Sequence, residues 1–161
     1  MIPDFPKKGI LFQDITSITD NKLLFKEVVD EISKYVKKNK FTKIAAVEAR
    51  GFIFGSAVSY KTKIPFVPIR KKGKLPGKVL KQKYKLEYGT DEIQIHRNSI
   101  NKKDKVLVID DLIATGGTAF ASANLINKCK VKSIEFFFII DLKNIGGSQK
   151  LGEKYKLSSI L

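Results

Sequence analysis

A chain of 161 residues, 43% of them hydrophobic, is long enough to bury the core of one domain and too apolar for global disorder. It has no apolar run near the roughly 20 residues that span a bilayer, no basic-then-apolar leader and a lone cysteine, Cys129, which argues against membrane, secreted and disulfide-framework classes and for a cytoplasmic setting. The net charge of +15 comes with abundant Asn and Ile but only three arginines, so it reads as a solvated lysine surface from an A/T-rich coding sequence, with no nucleic acid or membrane partner expected.

Along the chain, residues 22–38 place Leu24, Val28, Ile32 and Tyr35 at helical spacing and predict an amphipathic helix. Residues 43–47 (KIAAV) suit a buried strand, and residues 51–60 a helix leaving it. Residues 64–69 (IPFVPI) are a further strand despite two prolines. Residues 71–85, dense in lysine with two glycines and a proline, predict a mobile loop or hairpin, and residues 92–95 alternate as a strand. Residues 105–109 (KVLVI) and 133–140 (SIEFFFII) are the β-branched and aromatic runs of strands covered on both faces, with helical periodicity over 117–128 between them. Strands alternating with helices predict an α/β fold with a parallel sheet, one domain over 1–161.

Residues 106–118 (VLVIDDLIATGGT) carry the chemistry. Two carboxylates, Asp110 and Asp111, follow a buried strand at its carboxyl end, where open α/β sheets bind ligands. Ala114, Thr115, Gly116, Gly117 and Thr118 then supply small residues and hydroxyls at the start of a helix, a nest of N–H groups suited to a phosphate monoester. The acids repel phosphate but accept from hydroxyls. A diol beside a phosphate describes ribose 5-phosphate. Neither a Walker A loop nor the Rossmann glycine pattern is present. At the end of the 43–47 strand, Glu48, Ala49 and Arg50 form a turn that can hold a second anion, and Arg50 is one of three guanidinium forks in a lysine-rich chain.

The segment DDLIATGGT resembles the phosphoribosyl diphosphate (PRPP) motif of the type I phosphoribosyltransferases, most closely that of the adenine phosphoribosyltransferases. PDFPKKGILFQDIT, EARGFIFG, IRKKGKLPG and LEYGTDEIQIH also follow the family's order, so the resemblance runs from Pro3 to at least Gly147. It implies a parallel sheet flanked by helices, with a small N-terminal hood and a flexible basic loop. It implies a glycosyltransferase of purine salvage that makes AMP and pyrophosphate from adenine and PRPP with magnesium (Mg2+), as a homodimer. Glu48, Ala49 and Arg50 would bind pyrophosphate, usually through a cis Glu48–Ala49 peptide, helped by Arg70, Lys71 and Lys74 on the basic loop. The family's equivalents of Arg70 and Lys71 can reach the partner subunit's site. Tyr88 would position PRPP, and Glu87 would act as general acid or base on the adenine ring once the loop closes. Phe12 and Leu112 would sandwich the base, with the backbones of Leu11 and Arg50 at its edge.

Gln13 departs from the family's usual arginine and puts one anion contact in doubt, and the short ends lead one to expect reduced stability or an altered interface and an abbreviated last strand or tail. His96 and Cys129 are given structural roles. A 6-oxopurine enzyme typically carries an acid where this chain has Ala114. The alternative from another class is a non-catalytic PRPP or nucleotide sensor of the same fold. A third rival, an RNA-binding protein, would ignore PRPP and bind less as salt rises.

Overall fold

The computed structural model describes residues 15–85 and 89–161, together with the backbone of two short strands, β1 (Ile2–Pro3) and β2 (Leu11–Phe12), which pair antiparallel. The short helix α1 (Thr16–Thr19) precedes α2 (Lys22–Asn39), which Asn21 caps by accepting from the N–H groups of Leu23 and Leu24. Val28, Val29, Ile32 and Val36 form the buried stripe of α2. Leu24, expected on that stripe, is exposed in the first turn.

The main sheet has seven strands in the order β5-β6-β4-β3-β7-β8-β9. Strands β3 (Lys43–Val47), β4 (Phe66–Lys71), β7 (Lys105–Ile113), β8 (Ser133–Asp141) and β9 (Lys156–Ser159) run parallel. Helices α3 (Arg50–Thr62) and α4 (Gly117–Asn127) supply two of the crossovers a parallel sheet requires. The remaining two strands realise the hairpin alternative for the lysine-rich stretch and add antiparallel pairing to the sheet. The lysine-rich stretch is half of a hairpin: β5 (Val79–Lys85) pairs antiparallel with β6 (Thr90–His96), and β6 with β4. The sheet is therefore mixed. Alternation in VLKQKYK gives β5 one packed and one solvated face, which is how antiparallel edge strands behave.

Each face of the sheet has its own core. Along β7, Leu107 and Ile109 face Ile32, Val36, Phe54 and Val58 of α2 and α3, while Val106 and Val108 face Leu125 and Ile126 of α4. Helix α3 lies close enough to β3 that a Cβ on Gly55 would be 2.6 Å from Ala46 Cβ and 3.0 Å from the Phe66 ring. Gly55→Ala is therefore expected to cost about 1–3 kcal/mol by overpacking. An unshifted urea midpoint would show that the helix can retreat freely.

After β8, a 3-10 turn (Lys143–Ile145) and the short helix α5 (Gly147–Gly152) lead to β9. Periodicity does not reveal them, because each is at most six residues long and β9 is partly polar. The last strand, β9, pairs with β8 over four residues. No helix of the described residues is long and apolar enough to cross a membrane.

Candidate active site

The carboxyl ends of β3, β4 and β7 open onto a cleft of about 270 Å³. Strand β3 delivers Glu48, Ala49 and Arg50 to its wall, and the Glu48–Ala49 peptide is cis, as the resemblance implies. Gly51 lets α3 close on β7: a Cβ there would lie 2.9 Å from Ile109 O and 3.0 Å from an Asp110 carboxylate oxygen. That approach sets Arg50 Nε 2.8 Å from Asp111 Oδ2.

Strand β7 continues to Ile113 rather than ending at Ile109, so Asp110 and Asp111 stand within it. Charge made the sequence look like a loop there, but pairing with β8 holds the backbone extended. The Asp111 N–H donates to Asp110 Oδ1 at 2.9 Å. Protein atoms enclose most of the Asp110 carboxyl although the cleft reaches it. Burial first, and the Asp111 charge second, push its pKa well above the usual carboxylate range, with Arg50 opposing. One acid inclined to hold a proton beside one paired with arginine can both accept and donate hydrogen bonds to hydroxyls.

Residues Ala114 to Thr118 line the same cleft. Gly116 has φ +84, a left-handed turn that glycine permits, and it begins α4. The first turn of that helix brings N–H groups and partial positive charge to the cleft wall, so an anion fits there. The loop is braced from behind. Gly147 N–H donates to Ala114 O at 3.0 Å, and a Cβ on Gly147 would lie 2.1 Å from that oxygen and 2.7 Å from Gly116 N. Sequence reasoning gave Gly147 no role; the adjacent glycines after a strand were the available signal.

The third wall comes from the hairpin. Lys71 lines the cleft with Tyr84, forms an ion pair with Asp91 and donates to Tyr84 Oη at 3.2 Å. Tyr84 in turn donates to Asp91 at 3.2 Å. Burial works against the Lys71 charge, yet the bonds to Asp91 and Tyr84 prevail and raise its pKa, while Lys71 chiefly lowers that of Asp91. Tyr84 and Asp91 face each other across β5 and β6, a neighbourhood invisible until the hairpin register is known. Arg70 stands just behind, with Nε 2.7 Å from Glu48 Oε2 and Nη1 3.3 Å from Lys74 O. Lys74 is exposed on the turn and does not line the cleft. Leu112 and Phe138 add apolar surface. Glu87 and Tyr88, like Gln13 and the side chains of Leu11 and Phe12, lie outside the described residues.

Residues 14–161 match the model of the phosphoribosyl transferase domain. The chain is 50% identical over 159 residues to the adenine phosphoribosyltransferase of Chlorobium phaeobacteroides, covering 97% of this chain and 90% of that protein. Among solved structures it is similar to the adenine phosphoribosyltransferase from Thermoanaerobacter pseudethanolicus, at 43% identity and a TM-score of 0.89, covering 99% of this chain and 92% of that one. It is likewise similar to the Saccharomyces cerevisiae adenine phosphoribosyltransferase complexed with an imino-altritol bisphosphate and adenine, at 35% identity and a TM-score of 0.92, again covering 99% and 92%.

Proposed function

The chain belongs to the phosphoribosyl transferase domain family and, within it, to the adenine phosphoribosyltransferases, and from that premise we propose how its cleft divides the work of purine salvage. The enzyme transfers a phosphoribosyl group to adenine. In our reading the donor is PRPP, and the products are AMP and pyrophosphate. What carries the reading is the meeting of three anion- and hydroxyl-binding elements in one cleft: the 114–118 loop, the Asp110–Asp111 pair and the Glu48–Arg50 turn with its cis peptide.

Thr115, Gly116, Gly117 and Thr118 take the 5-phosphate, and Asp110 and Asp111 hold the ribose hydroxyls. Arg50 and Lys71 receive the diphosphate, with Ala49 in the turn beside it, while Arg70 steadies the turn through Glu48. Lys74 and Tyr88 are assigned to the donor, and Leu11, Phe12, Leu112 and the Arg50 backbone to adenine, by resemblance. The C1′–O bond breaks with its electron pair leaving on the diphosphate, while N9 of adenine bonds C1′. Glu87 receives the proton the ring sheds. Arg50 and Lys71 stabilise the departing charge, and enclosure keeps water from the cationic sugar.

Among the described residues, no group of three or more His, Cys, Asp or Glu is placed to hold a metal ion. Mg2+ does not require such a group, because it keeps several waters and binds through one or two carboxylates plus substrate phosphates. Asp110 and Asp111 would hold it. When bound, it neutralises diphosphate charge. A homodimer belongs to the same reading: Ile53 and Tyr60, seven residues apart on α3, are 41% and 90% exposed and would suit burial against a second copy. So does a cytoplasmic setting, since a donor as charged as PRPP does not cross a bilayer unaided.

Pyrophosphate release in the presence of Mg2+, PRPP and each nucleobase tests the reading. Release with adenine and not with hypoxanthine is expected, since Ala114 offers no acid to a 6-oxopurine. Folded protein that binds PRPP without releasing pyrophosphate would favour the sensor. Release with hypoxanthine instead would overturn the base assignment alone.

A further inference from the structure

The end of the sheet opposite the cleft is built from turns at residues 40–43, 63–65, 97–105, 128–132 and 153–156, which lead into β3, β4, β7, β8 and β9. Hydrogen bonds knit them into one rim: Thr42 N–H donates to Lys105 O, Ile44 N–H to Pro65 O and Lys132 N–H to Asp104 O. Twelve of the chain's 31 lysines and arginines lie in these turns, with two carboxylates. One of the two, Asp104, is buried and accepts from the Thr42 hydroxyl and the Asn101 N–H. Glu135, just inside β8, is also buried and takes Tyr35 and Lys105. Glu153 is thus the exposed carboxylate of the rim.

Lys40, Lys63 and Lys130 have φ of 55, 61 and 54, and are the described non-glycine residues in the left-handed region. Glycine and asparagine suit such helix-ending positions best. Drift of a coding sequence toward A and T would supply asparagine as readily as lysine. Nor does the helix dipole require these charges at α2 and α3, whose last turns already hold Lys37, Lys38 and Lys61. Lysine therefore stands three times at one rim against the local backbone preference.

We propose that this rim binds the phosphate backbone of duplex nucleic acid, away from the catalytic cleft. At about 4.8 Å per strand, the edge from β4 to β9 is about 19 Å long. A duplex laid along it offers about one charge every 1.7 Å. Lysine neutralises phosphates in such sequence-independent contacts as arginine does. Single strands are gripped by stacking rings, and here the ring of Tyr35 packs on Phe41 and Phe137 and that of Tyr155 on Phe136. Membrane surfaces take up exposed apolar residues, and Leu23, Leu24, Ile53 and Ile145 lie outside these turns. The lysine excess, expected from composition to be plain solvated surface, thus has a place and a ligand class.

The test titrates a labelled RNA duplex about two helical turns long with wild-type protein and with the variant Lys40→Asn, Lys63→Asn and Lys130→Asn. Wild type should bind at low salt with a steep log–log salt dependence. The variant should bind at least about tenfold more weakly, with a salt slope smaller by about three, roughly one per phosphate contact removed. It should melt no lower than wild type and convert adenine at the same rate. Lys22→Gln, Lys34→Gln and Lys143→Gln together remove equal charge elsewhere and should change binding little. The proposal is overturned if wild type does not bind the duplex, if the rim variant binds like wild type or melts lower, or if the control variant weakens binding equally. Binding to vesicles of anionic phospholipid with none to the duplex would also overturn it.

Discussion

Replacing Asp110 and Asp111 together by asparagine is expected to lower adenine conversion by about 10³-fold, from two charge-assisted hydrogen bonds of about 1.5–3 kcal/mol each. The same variant should melt at least as high as wild type at neutral pH, and the reason lies in the sign of the Asp110 shift. Its folded pKa is raised, by burial and then by Asp111, above that of the unfolded chain. The folded protein therefore holds this proton more tightly than the unfolded one, and ionised Asp110 works against folding at neutral pH. That penalty fades as pH falls through the folded pKa toward the ordinary aspartate value of 3.8. Asparagine removes it at every pH. Arg50 loses Asp111, but its side chain is 48% exposed, so that loss is worth about 0–1 kcal/mol after screening by solvent. Steady-state rates and melting curves from pH 5 to about 8 check both halves. Near-wild-type turnover would refute the hydroxyl-holding role, and a marked fall in melting temperature would show that the acids serve the fold instead.

The expected opposition between function and stability explains why the acid pair stands out in the sequence. Two adjacent carboxylates at the end of VLVI have no packing rationale, so chemistry was the remaining one. The turn before α4 was legible for a similar reason, since TGGT allows the left-handed conformation that glycine adopts at Gly116. The central strands β3, β7 and β8 announced themselves as unbroken apolar runs. What did not read out were relations between distant segments. Tyr84 and Asp91 meet Lys71 only because β5 and β6 pair in one register, which composition leaves open even where it allows a hairpin. The extension of β7 through two acids depended on partners in β8. Lys74, three residues after Lys71, was grouped with it and Arg70, and the structure places it exposed on the turn, outside the cleft lining.

Gly147→Ala makes the sharpest case of a residue known only through the fold. Its φ is not in the left-handed region, so alanine suits the backbone there, and the whole effect is steric. The added methyl would meet Ala114 O at 2.1 Å, Thr115 C at 2.6 Å and Gly116 N at 2.7 Å. All three are backbone atoms, which cannot swing aside as a flexible side chain would. Either the start of α5 withdraws, breaking the hydrogen bond from Gly147 N–H to Ala114 O, or the loop moves into the cleft. Both displace the N–H groups proposed to bind phosphate, and a shift of about 1 Å at such a site can cost about 10²-fold. AMP and ribose 5-phosphate should therefore bind about 10²-fold more weakly and KM for PRPP should rise, while KM for adenine changes little; overpacking itself should cost about 1–3 kcal/mol of stability. Gly146→Ala is the matched control. Its φ of +83 penalises alanine by about 1–2 kcal/mol, but nothing lies within 4 Å of the new methyl. It should lose stability and keep ligand affinity. Equal losses of ribose 5-phosphate binding in the two variants would mean that the segment merely tolerates strain poorly. Unchanged binding in Gly147→Ala would mean that the loop needs no brace. The expected split, affinity lost at 147 and kept at 146, requires that the glycine touching the loop sets the loop's position.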